Sequence, residues 1–152
     1  MGYNYTLWKR IMIDKLYKLK QQQITQQVLL KQQALSKIND IDNELISTNT
    51  RLHTTSVDIM GAISDFRVLQ IHKETMKDHM IKLAQNKEHL LKQIEYYDSI
   101  IVDLNKESEQ FNYILQEIKR EKLKEIEKQE EIVASEYMQA KYMKTRTEQY
   151  VS

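Results

Sequence analysis

A chain of 152 residues with no proline and only two glycines, Gly2 and Gly61, has almost nowhere to turn. Ordinary globular domains spend about 40% of their residues on turns and irregular structure, where Gly and Pro concentrate. The stretches on either side of Gly61 are instead rich in Gln, Lys, Glu, Leu and Ile, all good helix formers. Two Phe and one Trp leave little bulk for a broad core. The sequence therefore predicts an all-α fold, elongated, made of very few and very long elements.

The apolar spacing says how those helices are used. After Gly61, steps of three and four visit Phe66, Leu69, Lys73, Met76, Met80, Leu83, Lys87, Leu90, Ile94, Tyr97, Ile101, Leu104, Ser108, Phe111, Leu115 and Ile118. Only Lys73, Lys87 and Ser108 interrupt the apolar run. An a/d pattern held over more than seven heptads is the signature of a coiled coil, whereas an ordinary surface helix has a wider stripe and loses register sooner. Before the glycine the same rule visits Ile38, Ile41, Leu45, Thr48, Leu52, Thr55 and Ile59. Further back it loosens through "KLKQQQITQQVLLKQQALSK", where Leu16, Leu19, Ile24, Val28, Leu30 and Leu35 drift in phase.

"HTTSVDIMGAISD" marks the break. β-Branched and short polar residues weaken the helix, Gly61 suits a C′ position, and Ser64 followed by Asp65 reads as a new N-cap and first turn. A short connection makes long helices antiparallel neighbours. The expected fold is an antiparallel two-helix coiled-coil hairpin occupying residues 1–152 as one domain. Helix 1 is expected over about 6–59 with Thr6 as N-cap, the bend over about 60–64, and helix 2 over about 65–148. Residue i of the first arm should face about 124 − i of the second. The first arm then runs out of partner near residue 118, where the unbroken seam also ends and the apolar phase shifts to Leu123, Ile126, Val133, Tyr137 and Ala140. About 80 Å of paired hairpin and roughly 40–45 Å of C-terminal overhang follow from helical rise.

Charge by segment supports pairing of the arms. Residues 1–60 carry eight basic and five acidic side chains, residues 61–118 seven and ten, and residues 119–152 eight and seven. The first arm is net positive and the second net negative, so the hairpin is favoured over straight extension, though only weakly per surface pair. The whole-chain charge of +1 gives no general field for nucleic acid, and in "KREKLKEIEK" interleaved acids cancel the basic run. No nucleic-acid partner is expected.

The plan of two antiparallel helices with a much longer second one, ending in "LQEIKREKLKEIEKQEEIVASEYMQAKYMKTRTEQYV", resembles the small stalk proteins of type III secretion and flagellar export, the FliJ/SctO group. The likeness is one of pattern and architecture over nearly the whole chain, with no invariant motif behind it. It implies a non-catalytic protein akin to the γ subunit of rotary ATPases. Such a protein would contact a hexameric export ATPase, and elsewhere the export gate protein or secretion chaperones, in flagellar or virulence-associated protein transport. It would be a cytoplasmic monomer, peripheral to a membrane-embedded secretion machine.

Leu123, Ile126, Val133, Tyr137 and Met138 on the overhang are candidate partner-binding residues, because exposed apolar side chains at helical spacing mark interaction surfaces. Tyr96, Ile100 and Val102 are a second set. They lie beside the line of Tyr97, Ile101 and Leu104, where the stripe is too wide for a two-helix seam and is either a local thickening of the core or a partner surface. Two other readings stay open: a generic structural coiled-coil tether or scaffold, and a helical secretion chaperone.

An enzyme is not expected. There are too few glycines for a phosphate-cradling loop, and a two-helix rod offers no cleft for a Ser–His–acid arrangement. His72 and His79 share a face but stand about 10.5 Å apart along the axis, too far to share a metal. No catalytic residue, cofactor or metal is therefore expected. The absence of cysteine removes disulfides and thiolate ligands. No window approaches the roughly 20 apolar residues of a membrane span.

Overall fold

The computed structural model describes the backbone of residues 2–55 and 63–151, and the side chains of 5–55 and 65–150. Every described residue except Thr55 is helical: α1 spans Gly2–Thr54 and α2 spans Ile63–Val151. The fold is an all-α hairpin in which the two long helices pack against each other. Gly61 and the expected bend lie outside the described residues.

The helix ends differ from expectation by a few residues. α1 begins at Gly2, so Thr6 lies inside it and is no N-cap. Nothing between Tyr3 and Thr6 breaks a helix, which explains the extra turn. α1 stops at Thr54, five residues short of the expected 59. Its last turn carries Arg51 and His53, a favourable placement for cations at the negative end of the helix dipole. The hydroxyls of Thr50 and Thr54 donate back to the carbonyls of Ile46 (2.9 Å) and Thr50 (2.8 Å), and the Thr55 hydroxyl donates to the Arg51 carbonyl. Such back-bonding competes with the helix ladder and suits a terminus. α2 starts at Ile63, with Ser64 inside the helix and Asp65 in its first turn.

The chain divides into two compact units, Lys20–Lys106 and Met1–Leu19 with Glu107–Ser152. In the Lys20–Lys106 unit the core centres on Ala34, Ile38 and Ile94, with Leu90 and Tyr97 packed against them. Met76 and Leu83 are also buried, as is Thr48, whose Oγ1 accepts a hydrogen bond from the Arg51 guanidinium at 3.4 Å. In the other unit Ile13 and Ile118 are the buried apolar residues among those described, and Ser108 is buried as well.

On α2 the predicted seam is the buried line: of its sixteen places only Phe66 is exposed. The register between the helices is corrected. Lys31 pairs with Asp98 at 2.7 Å and Lys87 with Asp42 at 2.6 Å, numbers that total 129 in each pair. Ala34 and Ile38 share a cluster with Ile94 and Leu90. Residue i therefore faces about 128 − i, one turn further along α2 than 124 − i. In this register the counterpart of Phe66 falls among residues 56–62, so no described residue of α1 covers it.

The phase drift expected in the first half of α1 does not occur. Ile13, Tyr17, Lys20, Ile24, Gln27, Lys31, Ala34 and Ile38 form an unbroken staircase of three and four, each buried or half-buried. Leu19, Leu30 and Leu35, counted among the apolar places, lie off it and are exposed. The heptad never slips; polar side chains occupy its inward places. The side-chain carbonyls of Gln23 and Gln27 are shielded from solvent and accept no hydrogen bond from another protein group.

The cross-helix ion pairs also correct the charge argument. Lys31–Asp98 joins a base on α1 to an acid on α2, as the segment charges suggest. Asp42–Lys87 and Glu44–His79 (2.8 Å) run the other way. All six side chains are about one-third exposed or more, so these pairs stabilise little; Lys31–Asp98 and Asp42–Lys87 agree with the core register, while Glu44 and His79, totalling 123, reach each other slantwise across it.

Candidate interaction surface

Past Ile118, which is 7% exposed, α2 continues with every described residue exposed from Lys119 to Tyr150. The helix persists because the segment holds neither Gly nor Pro and is rich in Glu, Lys and Gln. The hydroxyls of Thr145 and Thr147 bond back to the carbonyls of Lys141 and Met143 towards the helix end, and one local pair assists: the Arg120 guanidinium meets Glu117 at 2.9 Å. Such a pair contributes only a few tenths of a kcal/mol. A bare helix carrying large apolar side chains remains, and that combination marks a surface awaiting cover.

The apolar side chains of this segment fall on two faces. Ile126, Val133 and Tyr137 line one shallow depression together with Glu130 and Ala134. Leu123 precedes Ile126 by three residues and continues the same line. Met138, expected in that set, sits instead with Tyr142 and Met143 on a neighbouring face. Tyr142 and Met143 are 65% and 63% exposed; Tyr142 falls in neither heptad phase, and Met143 lies four heptads beyond Leu115 on the phase abandoned after Ile118.

The net charge of the segment conceals blocks. Lys119, Arg120, Lys122 and Lys124 outweigh Glu121, whereas over 125–136 Glu125, Glu127, Glu130, Glu131 and Glu136 outweigh Lys128, a net −4. The apolar line of Ile126 and Val133 therefore lies in an acidic setting.

The second predicted set is not one patch. Tyr96 and Val102 are exposed and Ile100 is half-buried. At 100° per residue, Tyr96 and Ile100 flank the seam on one side and Val102 on the other. The Tyr96 ring lies 6.1 Å from that of Tyr97, tilted by 55°, and so widens one flank of the core.

A surface the spacing argument did not single out lies at the start of α1. Tyr5, Leu7, Trp8, Ile11 and Met12 are all exposed, and the Tyr5 and Trp8 rings stand 6.4 Å apart. Arg10, Lys15 and Lys18 of α1 and Lys119 of α2 surround a groove floored by Ile11 and Leu115. Asp14, ion-paired to Lys18 at 3.0 Å, is the single acid among five bases over residues 5–20, a net +4. The signal was available as aromatic residues interleaved with bases in "YTLWKRIMIDK".

Among the described residues no group of three or more His, Cys, Asp or Glu side chains is placed to hold a metal ion. His79 is occupied by Glu44, and His72 stands exposed. No described helix is long and apolar enough to cross a membrane. The chain matches no protein-family model, and comparison with curated proteins and with solved structures returns no match.

Proposed function

We propose that this protein is a non-catalytic central-stalk component of a type III secretion or flagellar export apparatus, engaging the hexameric export ATPase and, elsewhere, the export gate protein or a secretion chaperone. The observation that carries the reading is the exposed helical segment 119–150, continuous with a hairpin seam that ends at Ile118. A hairpin fixes the base of such a segment, while the bare helix presents apolar and charged side chains to a surrounding ring. Leu123, Ile126, Val133 and Tyr137 are few and widely spaced along it. That suits a weak and exchangeable contact, because affinity depends on a compact cluster of buried anchors. In this reading the protein works as a monomeric cytoplasmic hairpin beside a membrane-embedded machine.

Truncation after Ile118 tests it. Thermal unfolding should be nearly unchanged, since the removed residues bury nothing against α1. ATP hydrolysis by the purified export ATPase should lose the stimulation that the full chain provides. Normal stimulation by the truncated chain would refute the assignment of the contact to this segment. A helical secretion chaperone is the second reading, favoured by the exposure of Tyr96 and Val102; suppression of client aggregation by the truncated chain would support it.

A further inference from the structure

We infer that the start of α1 is a docking face for the 123–140 segment of a second copy of this chain, in a head-to-tail contact independent of the stalk reading. Both mating surfaces are present on the molecule. On α1, Tyr5, Trp8, Met12, Lys15 and Leu19 follow a 3-4-3-4 spacing, all exposed and offset from the Ile13 seam that packs on α2. On α2, Ile126, Glu130, Val133, Tyr137 and Ala140 follow 4-3-4-3, also all exposed. Laid antiparallel, the two stripes match at every place, with residue numbers totalling 145 throughout. Leu19 meets Ile126, Met12 meets Val133, Trp8 meets Tyr137 and Tyr5 meets Ala140.

Each stripe has one charged interruption, and the register sets these two against each other: Lys15 opposite Glu130. A parallel alignment lacks this property, because it sets Met12 on Glu130 and Lys15 on Val133. The flanks are opposite in sign, +4 over residues 5–20 against −4 over 125–136. Opposite potentials set partner and register, and a polar pair inside an apolar seam penalises the alternatives.

The contact cannot close on itself. In the unit that holds both stripes, α1 residues 10–18 line a groove with α2 residues 112–119, so α1 covers α2 before the docking stripe begins. A second copy's segment running antiparallel to α1 runs parallel to the first copy's α2. The two molecules then point the same way, displaced along their length, and a reciprocal contact would need the opposite displacement. Such an interface is heterologous and grows as an open series. It also occupies Ile126, Val133 and Tyr137, so self-association and any ring contact through those residues exclude each other.

Trp8 is the only tryptophan and reports directly on the docked face. Sedimentation velocity and Trp8 emission over a concentration series of the full chain are the measurements. The expected result is a mass that rises past the dimer as Trp8 emission shifts to the blue. Lys15→Glu and Glu130→Lys should each weaken association at least roughly tenfold, since like charges then face across an apolar seam. An equimolar mixture of the two variants should restore it. Both positions are exposed, and unchanged helical circular dichroism confirms that the variants fold. Four outcomes overturn the proposal: a monomer with unshifted Trp8 at every concentration, association that saturates at a closed dimer, no restoration on mixing, or a Trp8 shift that requires phosphatidylglycerol vesicles.

Discussion

Replacing Gln27 by Leu should stabilise the hairpin. Gln27 stands on the inward staircase of α1 opposite Ile101, and its side-chain carbonyl is shielded from solvent without a hydrogen-bond donor. A buried acceptor left unpaired costs about 1–3 kcal/mol. Leucine removes that cost and adds apolar burial, of which a half-buried site recovers about half of the roughly 1.5–3 kcal/mol for a full side chain. Discounting both for the partial exposure of the site leaves a net gain of about 1–2 kcal/mol. With a urea m-value of about 1–3 kcal/mol per molar, the unfolding midpoint should rise by roughly 0.5–1 M at unchanged slope. Gln26→Leu, one residue away and exposed, is the control and should move stability by less than about 0.5 kcal/mol. An unchanged or lowered midpoint for Gln27→Leu would refute the reasoning, because it would mean that the carbonyl is satisfied or that the position does not face α2.

The remaining predictions concern the rest of the seam. Leu83→Ala, at a site 7% exposed, should cost about 2–4 kcal/mol in urea titration, while Lys92→Ala on the outer surface should stay within about 0.5 kcal/mol. Ala34 is 4% exposed in the buried cluster with Ile38 and Ile94, so Ala34→Leu should overpack it and lower stability by about 1–3 kcal/mol in urea titration. Spin labels at the exposed positions Asp40 and Glu88, whose numbers total 128, should show stronger dipolar coupling than labels at Asp40 and Ala84; the reverse order would restore the 124 − i register.

What was legible in the sequence was whatever one helix decides alone. Without proline and with Gly61 as its single internal glycine past residue 2, the chain had to form long helices, and the second of them carries its inward line openly. The line from Leu69 to Ile118 is apolar nearly throughout and keeps one period, so burial could be read residue by residue. The exposure of residues 119–150 followed from the loss of that phase. The inward line of α1 from Tyr17 to Lys31 could not be read that way. Tyr, Lys and Gln occupy most of its places, while Leu19, Leu30 and Leu35 beside them are more hydrophobic and point elsewhere. Only the presence of α2 settles which set turns inward, because a helix committed to one seam at Ile38 cannot change face a few turns earlier without losing its partner. The one-turn shift in register has the same origin: it is set jointly by how Ala34 and Ile38 interlock with Leu90 and Ile94, and by where Lys31 and Asp42 reach their partners. The sequence by itself determined that there would be two helices and which face of the second would be covered. Pairing across the seam decided the rest, since a heptad repeat is nearly self-similar under a slide of one turn and only side chains meeting across the gap distinguish one register from the next.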